Sequence, residues 1–209
     1  MVNGDTWLIG KTGAVQYYQS YGLRDFGRPA ADAKSGMLPP KVAQMMLNIA
    51  QVKPDDVVLD PFCGSGTVLQ EAALLGVKKI IGSDTSQYAV RDAQQNLRWL
   101  LKEFPDLHTD IEITLGDART VVARPTVIVT EPFLGKPLHG NETVTTLQER
   151  VTELRSLYLA AMTNWYRILP IGGRVVMVWP QMGDGVVQIQ LDQEVAALGF
   201  QLQPLLPKD

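Results

Sequence analysis

Two rhythms of apolar residues alternate along this chain. Short apolar runs at Val57-Val58-Leu59, Lys79 to Asp84, Ile111 to Leu115, Thr126 to Thr130 and Arg174 to Trp179 predict strands. Between them lie longer stretches with helical spacing. Thr67 to Leu75 predicts a helix closed by Gly76. Gln87 to Phe104 carries a stripe through Tyr88, Val90, Ala93, Leu97, Leu100 and Leu101, and Pro105 stops it. Val151 to Ile168 carries another through Leu154, Leu157, Tyr158, Ala161, Met162 and Trp165. A helix over about Val187 to Leu198, stopped by Gly199, and a sixth strand over Phe200 to Leu206 complete the expected series.

Strands that alternate with helices predict an α/β fold. The sheet is mostly parallel and doubly wound, with helices on both faces, because parallel neighbours need crossover connections. Residues 1–36 break the rhythm. They are polar and glycine-bearing, with Tyr17, Tyr18, Tyr21 and Phe26 interspersed, and read as an N-terminal extension to a domain spanning 37–209. Met37-Leu38-Pro39-Pro40-Lys41 then opens a helix to about Ala50, with proline suited to its first turn.

Acidic residues close four of the expected strands: Asp60, Asp84, Asp117 and Glu131. A lone aspartate there is more often a helix N-cap, but four in series fall on one edge of a parallel sheet, where such sheets bind ligands. Asp60-Pro61-Phe62-Cys63-Gly64-Ser65-Gly66-Thr67 is a strand end dropping into a glycine turn, with a helix N-terminus aimed at the same place. No lysine follows the second glycine, which excludes the phosphate loop of nucleotide hydrolases, and Leu69 stands where a dinucleotide fingerprint wants a third glycine. The form that remains holds S-adenosyl-L-methionine. Asp84, next to Thr85, lies about where an acid accepts ribose hydroxyls. Asp117 can accept from an adenine amino group, with the backbone N–H of Ala118 beside it. Asp60, near Cys63 and Gly64, can hold the methionine ammonium directly or through water.

Composition narrows the chemistry. With 45% hydrophobic and 20% charged residues, 209 residues suit one well-buried globular domain. No apolar stretch approaches the roughly 20 residues that span a bilayer, and Met1 to Asp5 carries no export signal, so the expected compartment is the cytoplasm, with no membrane partner. Cys63 is the single cysteine, and His108 and His139 are the only histidines, so no metal site is expected. A net charge of -3 gives no global attraction to nucleic acid; such a partner needs a local basic patch.

Arg24-Asp25-Phe26-Gly27-Arg28-Pro29, Asp32 to Lys41 and Asp60 to Thr67 together resemble the catalytic domain of THUMP-associated tRNA guanine-N2 methyltransferases, over roughly residues 20–180. The resemblance implies a Rossmann-like class I methyltransferase fold, S-adenosyl-L-methionine as donor and an exocyclic guanine amine of tRNA as acceptor. It places Met37-Leu38-Pro39 over the cofactor. Such folds add a seventh, antiparallel strand, whereas the expected series here stops at six. The RNA-binding module that precedes this domain in the family is not found, so the expected partners are tRNA or other RNA and a separate RNA-binding module or subunit.

Glu131-Pro132-Phe133-Leu134-Gly135 sits where that family carries Asp-Pro-Pro-Tyr-Gly. An exocyclic amine is a poor nucleophile because its lone pair is delocalised into the ring. A carboxylate and a proline-held carbonyl can accept its two N–H bonds and aim the lone pair, while an aromatic ring stacks on a base taken out of its helix. Here Glu replaces Asp and Phe133-Leu134 replaces Pro-Tyr. Two other readings therefore stand beside the first: a DNA amino-methyltransferase, and a non-catalytic cofactor-binding subunit with a drifted turn. Arg24, Arg28 and Lys34, set among aromatics, are the expected nucleic-acid contacts, with a purely structural tie of the extension to the core as the competing role.

Overall fold

The computed structural model of the chain describes residues 2–3, 6–7, 10–30, 37–138, 140, 142–182 and 187–203. Its first elements are a two-strand antiparallel pair, β1 (Val2–Asn3) and β2 (Thr6–Trp7), then helices α1 (Tyr18–Phe26) and α2 (Pro40–Ile49). The alternating part runs β3 (Val57–Asp60), α3 (Thr67–Leu74), β4 (Lys79–Asp84), α4 (Gln87–Glu103), β5 (Asp110–Leu115), β6 (Val127–Thr130), α5 (Val144–Ile168) and β7 (Arg174–Met177). A small hairpin, β8 (Gln181–Met182) with β9 (Val187–Gln188), and α6 (Asp192–Ala197) follow.

β3 to β7 form one sheet in the order β5-β4-β3-β6-β7, every pair parallel. Register explains how a strand buried on both faces works. Val58, Ile80 and Val127 lie in one row, and Leu59, Ile81 and Ile128 in the next. Because side chains alternate faces along a strand, the first row enters a core under α2, α3 and α4, with Leu47, Leu69, Leu97 and Leu100. The second enters a core under α5 and α6, built around Tyr158, Trp165, Leu154 and Leu191. Side chains of that size contribute about 1.5–3 kcal/mol each on full burial, so both faces are needed to hold the sheet.

The expected strands between residues 57 and 177 and their helices are present. Three ends differ. α5 begins at Val144, seven residues before the apolar stripe predicted, because the Thr143 hydroxyl caps it by accepting from the Thr146 N–H. The helix expected over Val187 to Leu198 is only α6; Val187 and Gln188 pair with β8 instead. Residues 200–203 of the expected sixth strand are not in a strand, and its remainder lies outside the described residues. Phe200 instead packs edge-on to Tyr166, ring centroids 5.6 Å apart. α1 was not anticipated; it meets α2 through Tyr21, whose hydroxyl donates to Gln44, and α3 through the partner of Arg24 described below.

Candidate active site at the carboxyl edge of the sheet

β3 and β6 are neighbours although four elements separate them in sequence order, so the chain crosses over between them and leaves a crevice at their carboxyl ends. The glycine turn after β3 opens there. Gly66 takes φ +86° and closes the turn with its N–H on the Cys63 carbonyl at 2.7 Å. A side chain at Gly66 would press on Ala93 of α4, so glycine is needed for conformation and clearance together. At Gly82 the reason is space alone: an added methyl would lie 2.5 Å from Leu69 Cδ1.

Asp84 braces the turn from the next strand. Its carboxylate accepts from the Gly64 N–H at 3.0 Å and the Ser86 N–H at 2.8 Å, one bond per oxygen, which leaves lone pairs on both. Thr85 beside it is exposed. Asn96, fully buried, accepts from the Ala30 N–H and donates to the carbonyls of Ala30 and Ser65, all at 2.9 Å. The turn is thereby strapped to the segment before residue 31. Phe62 is held edge-on against Trp165 at 6.4 Å, Leu38 is buried in the first core and Pro39 is exposed.

Asp60 sits at the crevice, 2% exposed, accepting from the Thr130 hydroxyl at 2.6 Å and the Phe62 N–H at 3.2 Å. Burial pushes its carboxyl up to about 7, against those hydrogen bonds, and the charges of Asp84 and Glu131 add to the push. Three carboxylates thus bear on one groove. Glu131, half-buried, has its own carboxyl raised by burial. Pro132 is buried and Phe133 projects, 54% exposed. The Phe133 carbonyl accepts from the hydroxyl of fully buried Tyr158, whose ionisation is pushed up by burial and by the Glu131 charge.

Thr130 and Tyr158 were missed by the sequence reading. A hydroxyl at a strand end and a tyrosine in an apolar stripe carry no local signal of their partners. Asp117 lies on the same edge, but its carboxylate is taken up by Arg119, through the backbone N–H at 2.8 Å and the guanidinium at 2.5–3.0 Å, which holds its pKa low. Ala118 is buried, and its carbonyl accepts from the Trp165 indole at 3.1 Å.

The expected nucleic-acid contacts need correction. Arg24 and Arg28 are 5% and 4% exposed. Arg24 forms an ion pair with Glu71 of α3 at 2.5 Å, and Arg28 donates to the Thr67 hydroxyl at 2.7 Å. Both tie the extension to the helix that follows the glycine turn, and neither faces a ligand surface. Lys34 lies outside the described residues, as does His139.

The groove suits a positively charged group. Gly64 has φ +50°, and a side chain added there would meet nothing within 4 Å, so the backbone borders open space. The three acids favour a positively charged group, yet among the described residues no cluster of His, Cys, Asp and Glu is placed to hold a metal ion.

A parallel sheet of this order, with a glycine turn after β3, an acid closing β4 and an acid-proline turn after β6, defines a class I methyltransferase fold. The chain belongs to the UPF0020 family, the RMKL-like methyltransferase domain, which it matches over residues 28–181. It is 38% identical over 105 residues to the tRNA (guanine(10)-N2)-dimethyltransferase of Methanothermobacter thermautotrophicus, covering 48% of this chain and 28% of that one. It is 28% identical over 163 residues to the protein of the same name from Pyrococcus abyssi, covering 78% of this chain and 43% of that one. The chain therefore spans less than half the length of either relative. Among solved structures it is similar to TrmN from Thermus thermophilus, with 29% identity, a TM-score of 0.53, and coverage of 69% of this chain and 39% of that one. A predicted N6-adenine-specific DNA methylase from Listeria monocytogenes, 20% identical, shares the fold with a TM-score of 0.59 over 85% of this chain and 50% of that one. No helix among the described residues is long and apolar enough to cross a membrane.

Proposed function

We propose that the chain is an S-adenosyl-L-methionine-dependent methyltransferase acting on an exocyclic amine of a nucleic-acid base, with guanine N2 of tRNA as the acceptor. One observation carries the reading: Glu131 and Pro132 stand at the end of β6, directly across the crevice from Asp60 and the glycine turn. The two relatives named above support the choice of base and of RNA. A cytoplasmic setting follows from tRNA as substrate.

In this reading Asp60 and the Gly64 turn receive the cofactor's amino-acid part and Asp84 its ribose hydroxyls, while adenine lies beside Asp117 and Ala118 and must displace Arg119 to reach the Asp117 carboxylate. When bound, the cofactor supplies an electrophilic methyl group. Glu131 and the Pro132 carbonyl accept the two N–H bonds of the amine and so turn its lone pair outward, and Phe133 stacks on the extruded base. The proton released passes to Glu131 or to water. A separate RNA-binding module would add affinity for tRNA.

Calorimetry with S-adenosylhomocysteine, followed by nucleoside digestion and mass analysis of treated tRNA and DNA, tests the reading. Expected are micromolar-range binding, lost in Gly64→Arg, and N2-methylguanosine in tRNA. Methylated adenine or cytosine in DNA would move the substrate. Full cofactor affinity without transfer to any nucleic acid would leave a cofactor-binding subunit.

A further inference from the structure

With Arg24 and Arg28 buried, an RNA partner must meet other cations, and the carboxyl edge carries two beside the acid-proline turn. Lys136 follows Gly135, whose φ of +95° redirects the chain after Phe133 and Leu134. Its side chain is exposed and forms no ion pair among the described residues. Arg150, two turns into α5, reaches back to donate its Nη1 to the Lys136 carbonyl at 3.2 Å, and it too has no carboxylate partner among them. One hydrogen bond thus brings two cations, 14 residues apart, to the same loop. Phe133, three residues before Lys136, is half exposed on that loop.

Arg119, Arg155, Lys78 and Lys79 engage carboxylates, whereas other cations such as Lys53 form no ion pair among the described residues. What sets Lys136 and Arg150 apart is that one hydrogen bond holds them together beside the acid-proline turn. A base extruded toward Glu131 leaves its own sugar-phosphate strand running past Phe133. Cations on the same loop as an exposed aromatic suit a single strand, since phosphates position the nucleic acid while the ring takes a base.

We propose that Lys136 and Arg150 bind the phosphates flanking the target nucleotide, so that the loop after the acid-proline turn is the RNA-docking rim. This rests on the RNA methyl-transfer reading above. Arg150 contributes twice, by its own charge and by fixing the backbone that carries Lys136.

The test is fluorescence anisotropy of an unmodified tRNA transcript with the full chain and its variants, between about 50 and 200 mM salt. Each single-strand phosphate contact contributes about 0.7 to the slope of log affinity against log salt. Lys136→Ala is expected to weaken binding roughly three- to tenfold at 100 mM salt and to lower the slope by about one contact, with S-adenosylhomocysteine affinity unchanged. Arg150→Ala should do at least as much, whereas Arg150→Lys, which keeps the charge, should retain most of the affinity. Lys53→Ala, an exposed lysine at the opposite edge before β3, should leave binding and slope as they are. Unchanged affinity and slope in Lys136→Ala overturn the proposal. So does an equal loss in Lys53→Ala, displacement of RNA by polyglutamate at equal charge concentration, or the absence of RNA binding by the wild-type chain. RNA that binds through this rim but is never methylated would sink the methyl-transfer reading and leave the docking rim standing.

Discussion

The hydroxyl of Tyr158 donates a 2.7 Å hydrogen bond to the carbonyl of Phe133, tying the middle of α5 to the turn after β6. Tyr158 is fully buried and its ring packs edge-on to Trp179 at 5.8 Å, so it cannot follow a turn that moves. Pro132 restricts the turn from within and Tyr158 anchors it from without.

Tyr158→Phe keeps the ring and deletes that bond. It is expected to cost about 1–3 kcal/mol of stability, because the Phe133 carbonyl loses its partner. Methyl transfer in a single turnover should slow by about tenfold or more, since small displacements of a positioning group cost that much, while S-adenosylhomocysteine affinity stays constant. Equal transfer rates in variant and wild type would show that Pro132 alone positions the turn.

Glu131 must be ionised to accept the amine's N–H, and burial raises its carboxyl above the ordinary 4.5. The transfer rate should therefore fall as pH drops through that raised value and level off above it. Glu131→Gln should lower the rate by about a hundredfold or more with cofactor affinity intact. Glu131→Asp, which withdraws the carboxylate by about one C–C bond, should keep a measurable fraction of it. A rate profile flat through the acid range would remove Glu131 from the chemistry.

Asp60 holds its proton up to about 7 in the fold, against 3.8 as the ordinary value. Between those values the native state binds a proton that the unfolded chain has released. Stability is then unpenalised below the unfolded value and declines as pH rises toward about 7. Asp60→Asn should raise the melting temperature by several degrees at pH 8 and leave it unchanged at pH 4. The same substitution should weaken S-adenosylhomocysteine binding by about tenfold or more, an exchange of stability for function. A melting temperature that drops equally at both pH values would contradict the buried acid.

Arg24 and Glu71 test whether the extension is structural. Removing one member of a buried pair strands the other charge, so Arg24→Ala is expected to cost about 3–5 kcal/mol. The double change to Arg24→Met with Glu71→Leu should recover most of it. RNA affinity of the folded double variant should match the wild type, whereas a lost salt dependence would return Arg24 to the nucleic-acid surface.

The glycine turn, the strand-closing acids and the alternating rhythm are local features, and they were readable in residues 57–177 because each depends on neighbours a few positions away. Val187 to Leu198 misled for the same reason. Apolar residues there serve a core wherever they can reach it, and Ile189, Leu191 and Val195 do so from a loop and a short helix as well as from a long one. Arg24 and Arg28 among tyrosines fitted either RNA or a tie to the core, and only the position of Glu71 and Thr67 chose between them.

What the sequence determined by itself is the series of elements and the chemical type of each strand end, since periodicity and turn preference act through adjacent residues. Only the tertiary structure decided which side chains work as pairs. Thr130 meets Asp60 across 70 residues, Arg24 meets Glu71 across 47 and Tyr158 meets Phe133 across 25, contacts made by the order of strands in the sheet and not by any local preference. The burial that comes with that order is also what lifts the carboxyls of Asp60 and Glu131 above those of a free chain.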